Sequence, residues 1–121
     1  MEKPIIYQVL PRLFGNRNTT RKRNGVLKEN GCGKFIDFDN KALRRIHDLG
    51  VTHVWYTGII RHATETNYTS YGIPKQNSRV VKGKAGSPYA ITDYYDVDPD
   101  LATVIPNRMA EWEAVPSSVF R

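Results

Sequence analysis

From Ile5 to Leu10 the chain is apolar or β-branched at nearly every position, Ile5-Ile6-Tyr7-Gln8-Val9-Leu10. Such a run predicts a buried strand of a parallel sheet, covered on both faces. Pro11 withdraws a backbone donor and ends the pairing, and a polar, basic, Gly- and Asn-rich connection fills Gly15 to Gly33. Ala42, Leu43, Ile46 and Leu49 then recur at helical spacing behind Asp39 or Asn40, either of which can accept the free amides of a first turn. Gly50 is the stop signal, because glycine tolerates the left-handed conformation that closes many helices, and Val51-Thr52-His53-Val54-Trp55-Tyr56-Thr57 follows as a second strand. Strand, long loop, helix, glycine and strand make a βαβ unit, whose two strands run parallel through a right-handed crossover. Gly58 to Ile105 shows no sustained period, although Tyr68, Tyr71, Tyr89, Tyr94 and Tyr95 make it rich in aromatics. Connections of that length in compact folds are usually binding loops or lids. A last helix is predicted from Pro106 and Asn107, with Met109, Trp112 and Val115 on one side, until Pro116-Ser117-Ser118 breaks it.

Two buried parallel strands and two helices cannot cover their own faces and edges, so the pattern describes an α/β architecture with parts missing. Composition does not relax that tension. The 121 residues are 40% hydrophobic and 25% charged, which is ordinary for a folded domain and excludes a disordered or low-complexity chain. No apolar run approaches the ~20 residues of a membrane span, and Met1 to Tyr7 lacks the apolar core of a signal peptide, so the expected location is cytoplasmic, with no membrane partner.

The net charge is +6, and its excess lies in residues 1–50, where 11 Lys and Arg face 5 acids. Arg21-Lys22-Arg23 could attract phosphates, but it has no base-stacking aromatic nearby and belongs to no nucleic-acid-binding pattern. It reads as a solvated loop, with no nucleic-acid partner. Cys32 is the sole cysteine, which leaves a buried or bystander thiol and excludes an internal disulfide or a cysteine-based zinc site. His53, inside an apolar run, reads as a hydrogen-bonded core residue. Asp96, Asp98 and Asp100 alternate as a calcium loop would, but Pro99 interrupts them and the glycine and distal glutamate are missing, so they are expected to be solvated surface carboxylates.

Three segments, in order, carry a resemblance. Ile6-Tyr7-Gln8-Val9-Leu10-Pro11-Arg12-Leu13-Phe14 resembles the first barrel strand of the alpha-amylase family (glycoside hydrolase family 13). Asn30-Gly31-Cys32-Gly33-Lys34-Phe35, then the helix and Leu49-Gly50-Val51-Thr52-His53-Val54-Trp55, is similar to that family's Gly-x-Gly loop, first helix and second strand. Ser87-Pro88-Tyr89-Ala90-Ile91-Thr92-Asp93-Tyr94, with Asp98-Pro99 beyond it, resembles the tyrosine-containing segment before the third strand. The resemblance covers about residues 4–114. It implies the N-terminal portion of a TIM (β/α)8 barrel truncated after about two β/α units, since a full barrel takes ~250 residues. Residues 1–121 would then form a partial catalytic domain, with 115–121 as a divergent tail.

In such barrels the loops that follow strands form the active face. By its place in the motif, Tyr89 would stack against the sugar ring beside the scissile bond, and Asp93 would brace the loop by hydrogen bonds without reacting. The partner implied is an α-glucan or maltooligosaccharide, with no cofactor. Some relatives hold calcium before the first helix through alternating Asp and Asn, whereas Val26, Lys28, Asn30, Cys32 and Lys34 stand here, so no metal is expected. Retaining glycosidases need two carboxyl groups about 5 Å apart. The family carries them on later strands that this chain lacks, so no catalytic residue is assigned, and the segment by itself is expected to be inactive. Self-association through uncovered barrel edges is expected. The alternative is a non-catalytic carbohydrate-binding or interaction module.

Overall fold

The computed structural model describes residues 3–120. Strand β1 (Ile6–Val9) pairs parallel with β2 (His53–Tyr56), in the register Ile6 to His53 and Val9 to Tyr56. Thr52 pins the start of the pair: its hydroxyl accepts the Ile5 amide at 2.8 Å, while its own amide donates to the Ile5 carbonyl at 2.9 Å. At the far end the Thr57 amide donates to the Val9 carbonyl at 2.9 Å. The connection contains two single turns of helix, α1 (Pro11–Phe14) and α2 (Leu27–Asn30), then the crossover helix α3 (Asn40–His47). Asp39 caps α3 by accepting the Ala42 amide at 2.8 Å, and Gly50 adopts φ +88° as the chain reverses. The parallel βαβ unit read from the sequence is therefore present.

One face of the parallel pair is packed. Val9 joins Phe38, Leu43, Ile46 and Val51 in a core, with Tyr7, Val54 and Tyr56 against it. Aromatic rings fill the seam, since Phe14 stacks on Phe38 at 4.5 Å and Tyr56 meets both Phe38 and Trp112 edge-on. The opposite face is open: Ile6 is 58% and Trp55 53% exposed, and Gln8 and His53 share that side. The expectation of strands covered on both faces is thus corrected, because α3 and the last helix lie on the same side of the sheet. His53 is corrected with it. It is exposed, its Nδ1 sits 2.7 Å from the neighbouring Thr52 hydroxyl, and it is no core residue.

The stretch without a period contains a second sheet. Strand β3 (Ile60–His62) pairs antiparallel with β4 (Ile91–Val97), through an irregular register that sets Arg61 opposite Asp93. After a 3₁₀ turn at Pro99–Leu101, the last helix, α4 (Arg108–Glu113), brings Trp112 onto Phe35 at 5.6 Å, beside a smaller core of Phe35, Val97 and Leu101. Met109, placed on one side of that helix with Trp112 and Val115, is exposed. Val115, Val119 and Phe120, from the stretch expected to diverge, pack against the first core, and Phe120 meets His47 edge-on at 5.6 Å; Arg121 of that stretch lies outside the described residues. Among the described residues no helix is long and apolar enough to cross a membrane.

Candidate functional site

The carboxyl ends of β1 and β2 are where loops from a parallel pair can gather a ligand. Leu10 and Gly58 stand at those ends. Gly58 has φ +83°, and a Cβ there would lie 2.8 Å from the Pro88 Cβ and 3.4 Å from a Leu10 methyl, so the glycine lets the 85–90 segment press onto the strand ends. Arg12, just past β1, donates one guanidinium nitrogen to the carbonyls of Ala85 at 3.2 Å and Gly86 at 3.1 Å. The Ala63 amide donates to the Ala90 carbonyl at 2.9 Å and holds the segment from the other side. Gly86, at φ +81°, lies so close to the Ala63 carbonyl that any side chain would collide with it.

Tyr89 is carried on this clamped segment and is 70% exposed. Its amide donates to the Ser87 hydroxyl at 3.3 Å. Asp93 is half-buried on β4: one oxygen pairs with Arg61 at 3.2 Å, and the other accepts the Tyr95 amide at 2.9 Å. Arg61 also reaches Asp96 at 2.9 Å, and Arg108 grips Asp96 with two parallel bonds at 2.8 and 2.9 Å. Burial by itself would raise the Asp96 pKa, but the bonds and charge of Arg108 outweigh it and hold the carboxyl below its ordinary value. Tyr89 and Asp93 thus belong to one loop-and-strand unit, but Asp93 faces the arginines and is spent on them.

A second polar cluster lies beneath the same connection. Asp98 is 2% and Asp100 5% exposed, and Asp96 is buried as well, so the expectation that these three are solvated carboxylates is wrong. The Asp98 side chain accepts the Asp100 amide at 3.1 Å, capping the 3₁₀ turn, and its other oxygen lies 3.7 Å from His62 Nε2. Tyr68 donates its hydroxyl to one Asp100 oxygen, and the Lys34 ammonium donates to the Asp100 backbone carbonyl at 2.6 Å. Burial pushes the Asp98 carboxyl up to about 8 and raises Asp100 too, while it lowers His62. His62 Nδ1 is 3.0 Å from the Ile60 carbonyl, which favours the neutral tautomer with the proton on Nδ1. Burial also pushes the Cys32 thiol up to about 12, and leaves it a neutral packing group.

Sequence reasoning passed over His62, Tyr68, Asp98 and Asp100 as a unit; the signal available was Asp98-Pro99-Asp100, an aspartate cap on a turn that Pro99 starts. Among the described residues no set of three or more His, Cys, Asp or Glu side chains is grouped to hold a metal ion. Lys34, at the last of the positions compared with the calcium loop, supplies its cation to the Asp100 carbonyl. Arg21 and Lys22 are exposed in a loop that Asn16, Asn18 and Asn30 fasten to the backbone, and Lys22 pairs with Glu29 at 2.8 Å. No protein-family model, curated protein or solved structure matches the chain.

Proposed function

We propose that this chain contributes part of the sugar-binding face of an alpha-amylase-type glycoside hydrolase acting on α-linked glucans, without the carboxylates that cleave the bond. What supports the reading is the seat of the Tyr89 segment, pressed by Gly58 and Arg12 against the carboxyl ends of the parallel pair with the tyrosine ring open to solvent. A flat phenol offers an apolar face to a pyranose and a hydroxyl for its rim. Asp93, tied to Arg61, keeps β4 in register beneath that segment and takes no part in bond cleavage.

Calorimetric titration with maltoheptaose tests the reading. Tyr89→Ala is expected to weaken binding at least tenfold, about 1.4 kcal/mol, while leaving stability within about 0.5 kcal/mol of wild type, because the ring is mostly exposed. Equal affinity for both proteins would refute the role given to Tyr89. Release of reducing sugar above a heat-killed control would refute the assignment of a chain without a catalyst.

A further inference from the structure

We propose that the cavity bounded by the 26–34 connection and by Tyr68, Lys84 and Asp100 is a separate binding site for a small phosphorylated polyol. The cavity measures about 530 Å³, within the range of pockets that hold small molecules. Its charged lining is Lys28, Lys34 and Lys84 with Glu65 and Asp100, one cation in excess. Lys34 is committed to the Asp100 carbonyl, whereas the ammonium groups of Lys28 and Lys84 are exposed and make no hydrogen bond among the described residues, the Lys84 charge acting on Glu29. They are free to meet an anionic group, and Glu65 disfavours a second one.

Asp100 supplies the reason to expect more than a simple anion. One of its carboxyl oxygens receives the Tyr68 hydroxyl, but the other, Oδ2, is sealed from solvent and has no hydrogen-bond partner. A buried polar atom left without a partner is costly, and the cavity that Asp100 lines is open space from which a partner can come. As the side chain stands Oδ2 has no surface on that space, so a ligand hydroxyl reaches it only if the carboxyl turns. Burial favours the protonated acid, so the partner has to suit either protonation state. A hydroxyl does, since it donates to a carboxylate and accepts from a carboxylic acid. An ammonium suits only the carboxylate, and three lysines repel it. A hydroxyl inside and a phosphate at the mouth describe one molecule, a phosphorylated polyol. This inference does not rest on the glucan reading, because Tyr89 does not line the cavity.

Glucose 6-phosphate is the probe, titrated calorimetrically into the chain at low salt, with glucose and inorganic phosphate as controls. Glucose 6-phosphate is expected to bind at least tenfold tighter than either control. Lys28→Ala and Lys84→Ala are each expected to weaken it several-fold, and Tyr89→Ala to leave it unchanged. Raising the salt concentration weakens binding through screening of the exposed lysines. Asp100→Leu, which has no group to bond a hydroxyl, should remove the preference over inorganic phosphate; if that variant fails to fold by circular dichroism, the lysine variants, which change only exposed side chains, carry the test. Absence of binding heat at millimolar probe, indifference to both lysine variants, equal affinity for phosphate alone, or loss of binding in Tyr89→Ala would each overturn the proposal.

Discussion

Asp98→Asn is predicted to stabilise the chain at pH 8 and to flatten its pH dependence. The carboxyl is 2% exposed and its ionisation is pushed up to about 8, whereas an unfolded aspartate titrates near 3.9. Between those values the native state holds a proton that the unfolded chain has released. The contribution is therefore fully present below about pH 4 and is lost progressively as the pH rises to about 8. Each unit of pKa is worth about 1.4 kcal/mol, so the raised Asp98 and Asp100, which titrate as a pair, together contribute on the order of several kcal/mol. That is comparable with the whole stability of a small domain, about 5–15 kcal/mol. Asparagine keeps the oxygen that accepts the Asp100 amide and has nothing to ionise. Urea midpoints followed by circular dichroism from pH 5 to pH 8.5 at constant ionic strength are the measurement. Starting at pH 5 avoids the opposite trend from Asp96 and Glu111, whose pKa values are lowered, but His62, lowered by burial, opposes the fall up to about pH 6.5, so the comparison is read above that pH. Above about pH 6.5 wild type is expected to weaken steadily and the variant to weaken less, its remaining slope coming from Asp100, which is raised as well. Wild-type stability that instead rises with pH, with Asp98→Asn destabilised by more than about 1 kcal/mol at pH 8, would mean that Asp98 is ionised and paired with His62 or Arg12, and would refute this account.

Two further outcomes are expected. Arg108→Ala leaves the buried Asp96 with Arg61 alone and should cost about 3 kcal/mol in urea unfolding; Arg108→Lys should recover less than half of that, because an ammonium cannot make the two parallel bonds, and a loss under about 0.5 kcal/mol would show the pair to be unimportant. With its pKa near 12, Cys32 should react with iodoacetamide at pH 8 about a thousandfold more slowly in the native chain than in urea, followed by mass spectrometry, and a native rate within tenfold of the unfolded one would contradict its burial.

What could be read along the chain was what is local. The unit β1–α3–β2 needs only an apolar run, a cap at Asp39, Leu43 and Ile46 at helical spacing, and a glycine able to take φ +88°. Its limits failed where a neighbour decides the outcome. Leu49 continues the spacing of α3 but falls beyond its end at His47 and is exposed. Ile6 and Trp55 have the character of buried strand residues and face solvent, since no second layer lies on their side of the sheet. Strand β3 is three residues long, too short for any period to register, and β4, Ile91–Val97, carries polar residues in both alternating sets. Its pairing is specified by Arg61, which meets Asp93 and Asp96 from more than 30 positions earlier in the chain.

The aspartates show the same limit in electrostatic form. Asp96, Asp98 and Asp100 look equivalent in the sequence, and alternate charges of one sign suggest a solvated edge. Packing buries all three and treats them in two ways. Asp96 keeps its charge, because Arg61 and Arg108 converge on it from two elements. Around Asp98 and Asp100 the cations are near but bonded to carbonyls, Arg12 to those of 85–86 and Lys34 to that of Asp100 itself, and their charge does not outweigh burial, so the carboxyls favour taking up a proton. Which solution an aspartate receives is set by where an arginine or lysine has already committed its donors. Arg12 and Lys34 commit theirs to backbone carbonyls 66 to 74 residues away, far outside any window of local pattern. Tyr89 stands out within its own short segment, but the seat of that segment on Arg12 and Gly58, like the contacts of the buried acids with His62, Tyr68 and Lys34, joins residues far apart in the chain.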